Sequence, residues 1–177
     1  MSNDKLTNLV TAIENNKALQ VALLLDREVQ EYTVNGKSLL MVASLVGNPI
    51  IVQMLLNHGA HVNQVNLDGE TALAIATNKK HKEVVKILLD AGADPNIVDS
   101  YSVSPLHIAI SGLEIEIVAL LIGAGAHISH NDSNVRDALD LIEEITRVDV
   151  AEGDKAAHVK AETIRDILLQ AKGATQI

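Results

Sequence analysis

The seven histidines of this 177-residue chain are its first candidates for chemistry, because His58 with His61 and His127 with His130 place two imidazoles three residues apart. Such pairs could supply part of a zinc site, which takes nitrogen or sulfur donors at about 2 Å. Cysteine is absent, so neither thiolate ligands nor a cysteine nucleophile is available. No Gly-x-Ser-x-Gly elbow occurs, and no glycine-rich loop ends in Lys-Ser or Lys-Thr. Glu143 and Glu144 are neighbouring carboxylates, but adjacent residues on a helix point in different directions and do not converge on one substrate. Gly123-Ala124-Gly125-Ala126 superficially suggests a phosphate loop. The elements that carry these residues decide between the possibilities.

Those elements recur. Compared with itself at an offset of 33 residues, the chain aligns Ser38, Thr71, Ser104 and Asp137, each able to accept a bond from an unpaired amide at a helix start. Two residues on, the column reads Leu40, Leu73, Leu106 and Leu139, and three further on Ala43, Ala76, Ala109 and Ile142. One face is therefore apolar at helical spacing. A second helix follows in each unit, marked by Val52, Val85 and Val118 and then by Leu55, Leu88 and Leu121. Gly59, Gly92 and Gly125 stand just past it, where a left-handed backbone caps the last carbonyls. Pro49 and Pro105 fall near helix starts, where a missing amide costs nothing.

Thr71-Ala72-Leu73-Ala74-Ile75-Ala76 and Ser104-Pro105-Leu106-His107-Ile108-Ala109 resemble the ankyrin signature Thr-Pro-Leu-His-x-Ala, and Ala91-Gly92-Ala93-Asp94-Pro95-Asn96 resembles its Gly-Ala-Asp-x-Asn close. The resemblance is clear over Asn35 to Asn66, Asp68 to Asp99 and Ser100 to Asp132, and extends more loosely over nearly the whole chain. It implies an all-α fold, an α-solenoid of about five stacked ankyrin repeats, each a helix-turn-helix unit with a projecting β-turn finger. The expected organisation is a single domain over 1–177, with an N-terminal capping repeat at 1–33, regular repeats at 34–66, 67–98 and 99–131, and a C-terminal repeat at 132–177. In the first repeat Leu9, Ala12, Leu19 and Leu23-Leu24-Leu25 keep the two-helix pattern in a shifted register. In the last, Ile167-Leu168-Leu169 should follow Ile87-Leu88-Leu89 by 66 residues but follows by 80, so 80 minus 66, or 14, residues are inserted. Glu143 to Glu162 is therefore expected to lengthen the final helix pair, with Gly153 as the break and the acidic residues as the polar outer face of a cap.

Within this frame the histidine pairs fall in loops between repeats. His61 and His127 occupy equivalent positions two repeats apart, and at about 10 Å per repeat they cannot share one ion. Gly123-Ala124-Gly125-Ala126 aligns with Asp90-Ala91-Gly92-Ala93 and is explained by helix termination. His107 matches the family's signature histidine, which implies a hydrogen-bonding role in the turn network. No catalytic residue, cofactor or metal is expected, and the chain is not expected to be an enzyme.

Composition narrows the partners. A hydrophobic fraction of 47% supports a folded core, which must be built from Leu, Ile, Val and Ala because Tyr32 and Tyr101 are the only aromatics. A net charge of -9 opposes binding to nucleic acid or to an anionic membrane surface. Ser38 to Asn57 is a 20-residue stretch without charge, long enough to span a bilayer, but Gly47-Asn48-Pro49 interrupts it. The opening Met1-Ser2-Asn3-Asp4-Lys5 lacks the apolar stretch of a secretory signal, and a cytoplasmic location is expected.

The resemblance implies that a partner protein binds the concave face and the fingers. Keyed to the helix-start column, the partner-facing positions are Val34, Asn35, Lys37, Leu45 and Val46, then Leu67, Asp68, Glu70, Asn78 and Lys79, then Ser100, Tyr101, Val103, Ser111 and Gly112. The last unit adds Ser133, Asn134, Arg136, Glu144 and Ile145. Lys37, Lys79 and Arg136 offset Asp68, Glu70 and Glu144, three against three, so apolar contacts by Leu45, Val46, Leu67, Tyr101 and Val103 are expected to dominate. Asn35-Gly36 and Asp68-Gly69 are tight-turn signals, whereas Ser102 and Val135 stand at the glycine position in the next two units, where another finger shape is expected. Lys80 and Leu113 likewise stand where the family usually has glycine, with Gly112 one position away. The expected role is an adaptor or an inhibitor or immunity factor, monomeric in isolation, with a self-associating structural protein as the alternative.

Overall fold

The computed structural model describes residues 3–25, 32–128, 137–152 and 154–174. Its elements run α1 (Asn3–Glu14), α2 (Ala18–Leu24), β1 (Thr33–Val34), β2 (Lys37–Ser38), α3 (Leu39–Val46), α4 (Pro49–Asn57), α5 (Ala72–Asn78), α6 (Lys82–Asp90), α7 (Pro105–Ser111), α8 (Ile115–Gly123), α9 (Ala138–Glu152) and α10 (Lys155–Ala174). The fold is an all-α repeat solenoid in class. It divides into two compact units, Met1–Asp94 and Pro95–Ile177.

In each unit the helices sort by type. First helices pack on first helices and second on second: α1 on α3 and α3 on α5, α2 on α4 and α4 on α6 in the first unit. In the second unit α7 packs on α9 and α8 on α10. The columns explain this, because Leu40, Ala43, Leu73 and Ala76 in the first unit, and Leu106 and Ala109 in the second, are fully buried. The α2 register departs from expectation. Val21 is its buried residue, whereas Leu19 and Leu23 are 77% and 79% exposed. One buried column carries hydroxyls: Ser44 Oγ and Thr77 Oγ1 are buried without a hydrogen-bond partner, and Ile110 holds the equivalent place one repeat on.

The oxygen column caps the first helices. Ser38 Oγ accepts from Met41 N at 3.2 Å, Thr71 Oγ1 from Ala74 N at 3.1 Å and Ser104 Oγ from His107 N at 3.4 Å. Asp137 Oδ1 accepts from Leu139 N at 3.1 Å. A side-chain cap of this kind is worth about 1 kcal/mol. Asn48 ends the uncharged stretch Ser38 to Asn57 as one helix, capping α4 through Ile50 N and Ile51 N, and no helix among the described residues is long and apolar enough to cross a membrane.

The turn between paired helices needs one left-handed residue, and Gly47 (φ 84°), Lys80 (φ 62°) and Leu113 (φ 52°) supply it. His81 N bonds Ala76 O and Lys80 N bonds Thr77 O, while Glu114 N bonds Ala109 O and Leu113 N bonds Ile110 O, all at 3.0 Å. These paired bonds close the helix ends and hold Lys80 and Leu113 in a conformation that costs an L-residue about 1–2 kcal/mol. Gly112 has φ -83°, so the glycine sits one position before the residue that would use its freedom.

A second clamp ties successive loops. Asn63 donates to Gly92 O at 3.3 Å and accepts from Asp94 N at 2.8 Å; Asn96, 33 residues on, donates to Gly125 O at 3.2 Å and accepts from His127 N at 2.8 Å. The last helix pair is long, 15 residues in α9 and 20 in α10 against 7 and 9 in α7 and α8. Asp154 Oδ1 starts α10 by accepting from Ala156 N and Ala157 N, each at 3.0 Å; Gly153 lies outside the described residues.

Candidate partner-binding surface

The fingers are built in two ways. Strand β1 pairs Thr33 with Ser38 and Val34 with Lys37, leaving Asn35 and Gly36 as a two-residue turn. Both are left-handed, at φ 51° and 76°, the geometry that favours Asn-Gly in tight hairpins. In the next finger Asn66 N bonds Glu70 O at 3.0 Å and Gly69 N bonds Asn66 O at 3.1 Å, which makes Leu67-Asp68-Gly69 a three-residue loop. Asn66 Oδ1 holds it by accepting from Asp68 N and Glu70 N, each at 2.9 Å.

The finger at Ser100-Tyr101-Ser102 repeats this second form. Asp99 N bonds Val103 O at 3.1 Å, Ser102 N bonds Asp99 O at 2.9 Å, and Asp99 Oδ1 accepts from Tyr101 N and Val103 N, each at 2.9 Å. Ser102 is left-handed at φ 61°, as Gly69 is at 78°. The expectation of another shape at Ser102 is therefore corrected: the Asp99 carboxylate supplies enough backbone bonding to hold a serine where glycine would sit without strain. Val135 lies outside the described residues.

These loops put large apolar side chains in solvent. Leu67 is 91% exposed and Tyr101 85%, more than any other large hydrophobic among the described residues. In the first unit, Leu67 Cδ1 lies 3.3 Å from where a β-carbon on Gly36 would sit, so the second finger leans over the turn of the first. Leu45, at the end of α3, is 39% exposed, and Val46 is half-buried. Lys37 and Glu70 are half-buried, and Asp68, Asn78 and Lys79 are exposed. Glu70 Oε2 is engaged by Asn66 Nδ2 at 2.9 Å. In the second unit Val103 is half-buried beside exposed Tyr101, and Glu144 is exposed on α9. Arg136 lies outside the described residues.

Compared with known families, residues 59–132 match the model described as ankyrin repeats (3 copies), and residues 24–76 match that described as ankyrin repeats (many copies). Together the matches run over 24–132, more than half of the chain. The chain belongs to the ankyrin repeat family. No curated protein matches it. Ankyrin repeats are generally protein–protein interaction modules without catalytic function.

In this ankyrin chain two of the candidate histidines, His107 and His58, bond at helix ends. His107 is buried, and its Nδ1 lies 2.7 Å from the Ser104 hydroxyl that caps α7, within the turn network its motif implied. His58 Nδ1 is 2.8 Å from the Met54 carbonyl of its own helix, and His61 and His127 are exposed. His130 lies outside the described residues; among the described ones no three His, Asp or Glu side chains gather as a metal site. Sequence reasoning missed His81, whose ring stands over Gly47 with Nε2 3.3 Å from Leu45 O, and so fixes the end of α3 against the next repeat. It also missed the Asn63 and Asn96 clamps, although their spacing of 33 was a usable signal.

Proposed function

We propose that the chain binds a partner protein in the cytoplasm through its fingers and the exposed ends of its first helices, as an adaptor or as an inhibitor or immunity factor. The observation that carries this is the exposure of Leu67 and Tyr101 on loops held by backbone bonds. Burying a large apolar side chain against a partner is worth about 1.5–3 kcal/mol, and a pre-set loop has little freedom to lose. In the first unit Lys37, Asp68, Glu70, Asn78 and Lys79 bring charges of both signs and Leu45 and Val46 further apolar surface; in the second unit Val103 adds apolar surface next to Tyr101, and the sequence adds Arg136 as a further cation. Such a mixture selects by shape and apolar fit rather than by bulk charge.

Affinity capture from the native cell extract, with the intact chain and a Leu67→Ala/Tyr101→Ala chain as baits, tests this. A protein enriched by the first and lost by the second supports the proposal; equal capture by both contradicts it. Stoichiometry and the partner's residual activity then separate adaptor from inhibitor. Self-association is a second reading, favoured by Leu19 and Leu23, which share one face of α2 and are exposed. Sedimentation showing a monomer at all concentrations would remove it.

A further inference from the structure

We propose that Asn35 is a site of spontaneous covalent modification, at which the side chain closes on the Gly36 amide to a succinimide and reopens as aspartate or isoaspartate. The chain contains the dipeptide Asn-Gly once, at this turn. Asn35 is exposed, and its carboxamide bonds to no described residue. The carboxamides of Asn48, Asn63, Asn66 and Asn96 are by contrast all engaged, and each precedes a residue with a side chain. The Gly36 N–H also donates to no described residue, and no β-carbon crowds its nitrogen.

The chemistry balances with water alone. The Gly36 nitrogen, giving its proton to solvent base, attacks Asn35 Cγ; an N–C bond forms, the Cγ–Nδ2 bond breaks and ammonia leaves. Water then opens the ring. Addition at Cγ restores the ordinary chain with aspartate, and addition at the main-chain carbonyl leaves the chain running through Cγ as isoaspartate.

Ring formation requires the turn to open, and among the described residues two strand pairs hold this hairpin. The next repeat shows the contrast. Gly69 also follows an acidic-type residue, Asp68, but its N–H is bonded to Asn66 O and the Asn66 side chain clamps the loop; Thr33 stands at the corresponding place in the first finger. Either product puts a carboxylate two residues before Lys37, and isoaspartate lengthens a two-residue turn that sets the Thr33–Ser38 pairing. The modification rests on the turn itself and holds whatever the partner is.

The test incubates the full chain at body temperature and mildly alkaline pH, then maps the digest by mass spectrometry with fragmentation that separates aspartate from isoaspartate. The expected result is a gain of one mass unit at Asn35 ahead of every other asparagine, with both products present. Asn35→Gln should lose this early gain, and Gly36→Ala should slow it at least about tenfold, because a β-carbon shields the attacking nitrogen. Survival of Asn35 while other asparagines convert would overturn the proposal, as would an unchanged early gain in Asn35→Gln.

Discussion

Thr77 shows how a single atom sets a local cost. Its hydroxyl is buried without a partner in a column whose next member is Ile110, so the site accepts an apolar side chain. Thr77→Val keeps the shape and removes the unsatisfied group; a gain of about 1 kcal/mol in denaturant unfolding is expected. Lys80 carries a different cost, a left-handed backbone at φ 62° in an exposed residue. Lys80→Gly should gain about 0.5–1 kcal/mol, the strain relieved less the added chain entropy of glycine. At this scale the helix caps were legible, because Ser, Thr and Asp recur at one spacing. The left-handed Ser102 was not, since propensity argued against it and only the folded loop shows the Asp99 carboxylate accepting from Tyr101 N and Val103 N on either side of it.

Between elements, buried leucines and the asparagine clamps hold neighbouring repeats within each unit. Leu73 and Leu106 are fully buried within their units, and Leu73→Ala or Leu106→Ala should each cost about 2–5 kcal/mol by chemical denaturation. A loss below about 0.5 kcal/mol would place them outside the core. Asn96→Ala removes two bonds to the next loop and should cost about 1–2 kcal/mol, with amide exchange accelerated at His127, whose N–H it holds. The helices themselves were legible from columns of Leu, Ala and Val. The facing of α2 was not: with Leu19, Val21, Ala22, Leu23 and Leu24 all apolar, Gln20 alone is too weak a polar signal to orient the helix, and Val21 turns inward where α2 packs on α1 and α4.

For the molecule as a whole, the second unit shows what the long α9 and α10 do. Ala138, Ile142, Ala161, Ile164 and Leu168 are fully buried as these helices cover α7 and α8. Cutting the chain after Asn131 would expose that apolar flank, and aggregation by light scattering is expected; a soluble helical monomer would contradict the covering role. The candidate surface was drawn from the repeat frame, but its energetics were not, because half-burial of Val103 and near-complete exposure of Leu67 and Tyr101 depend on how each loop folds. Titration calorimetry with a captured partner tests the central claim most directly, comparing Leu67→Ala/Tyr101→Ala with a matched pair on the second helices, Lys86→Ala/Glu116→Ala. The finger pair is expected to weaken binding by at least about 2 kcal/mol and the second-helix pair by no more than about 0.5 kcal/mol. Loss of binding in the second-helix pair with full affinity in the finger pair would contradict the assigned surface.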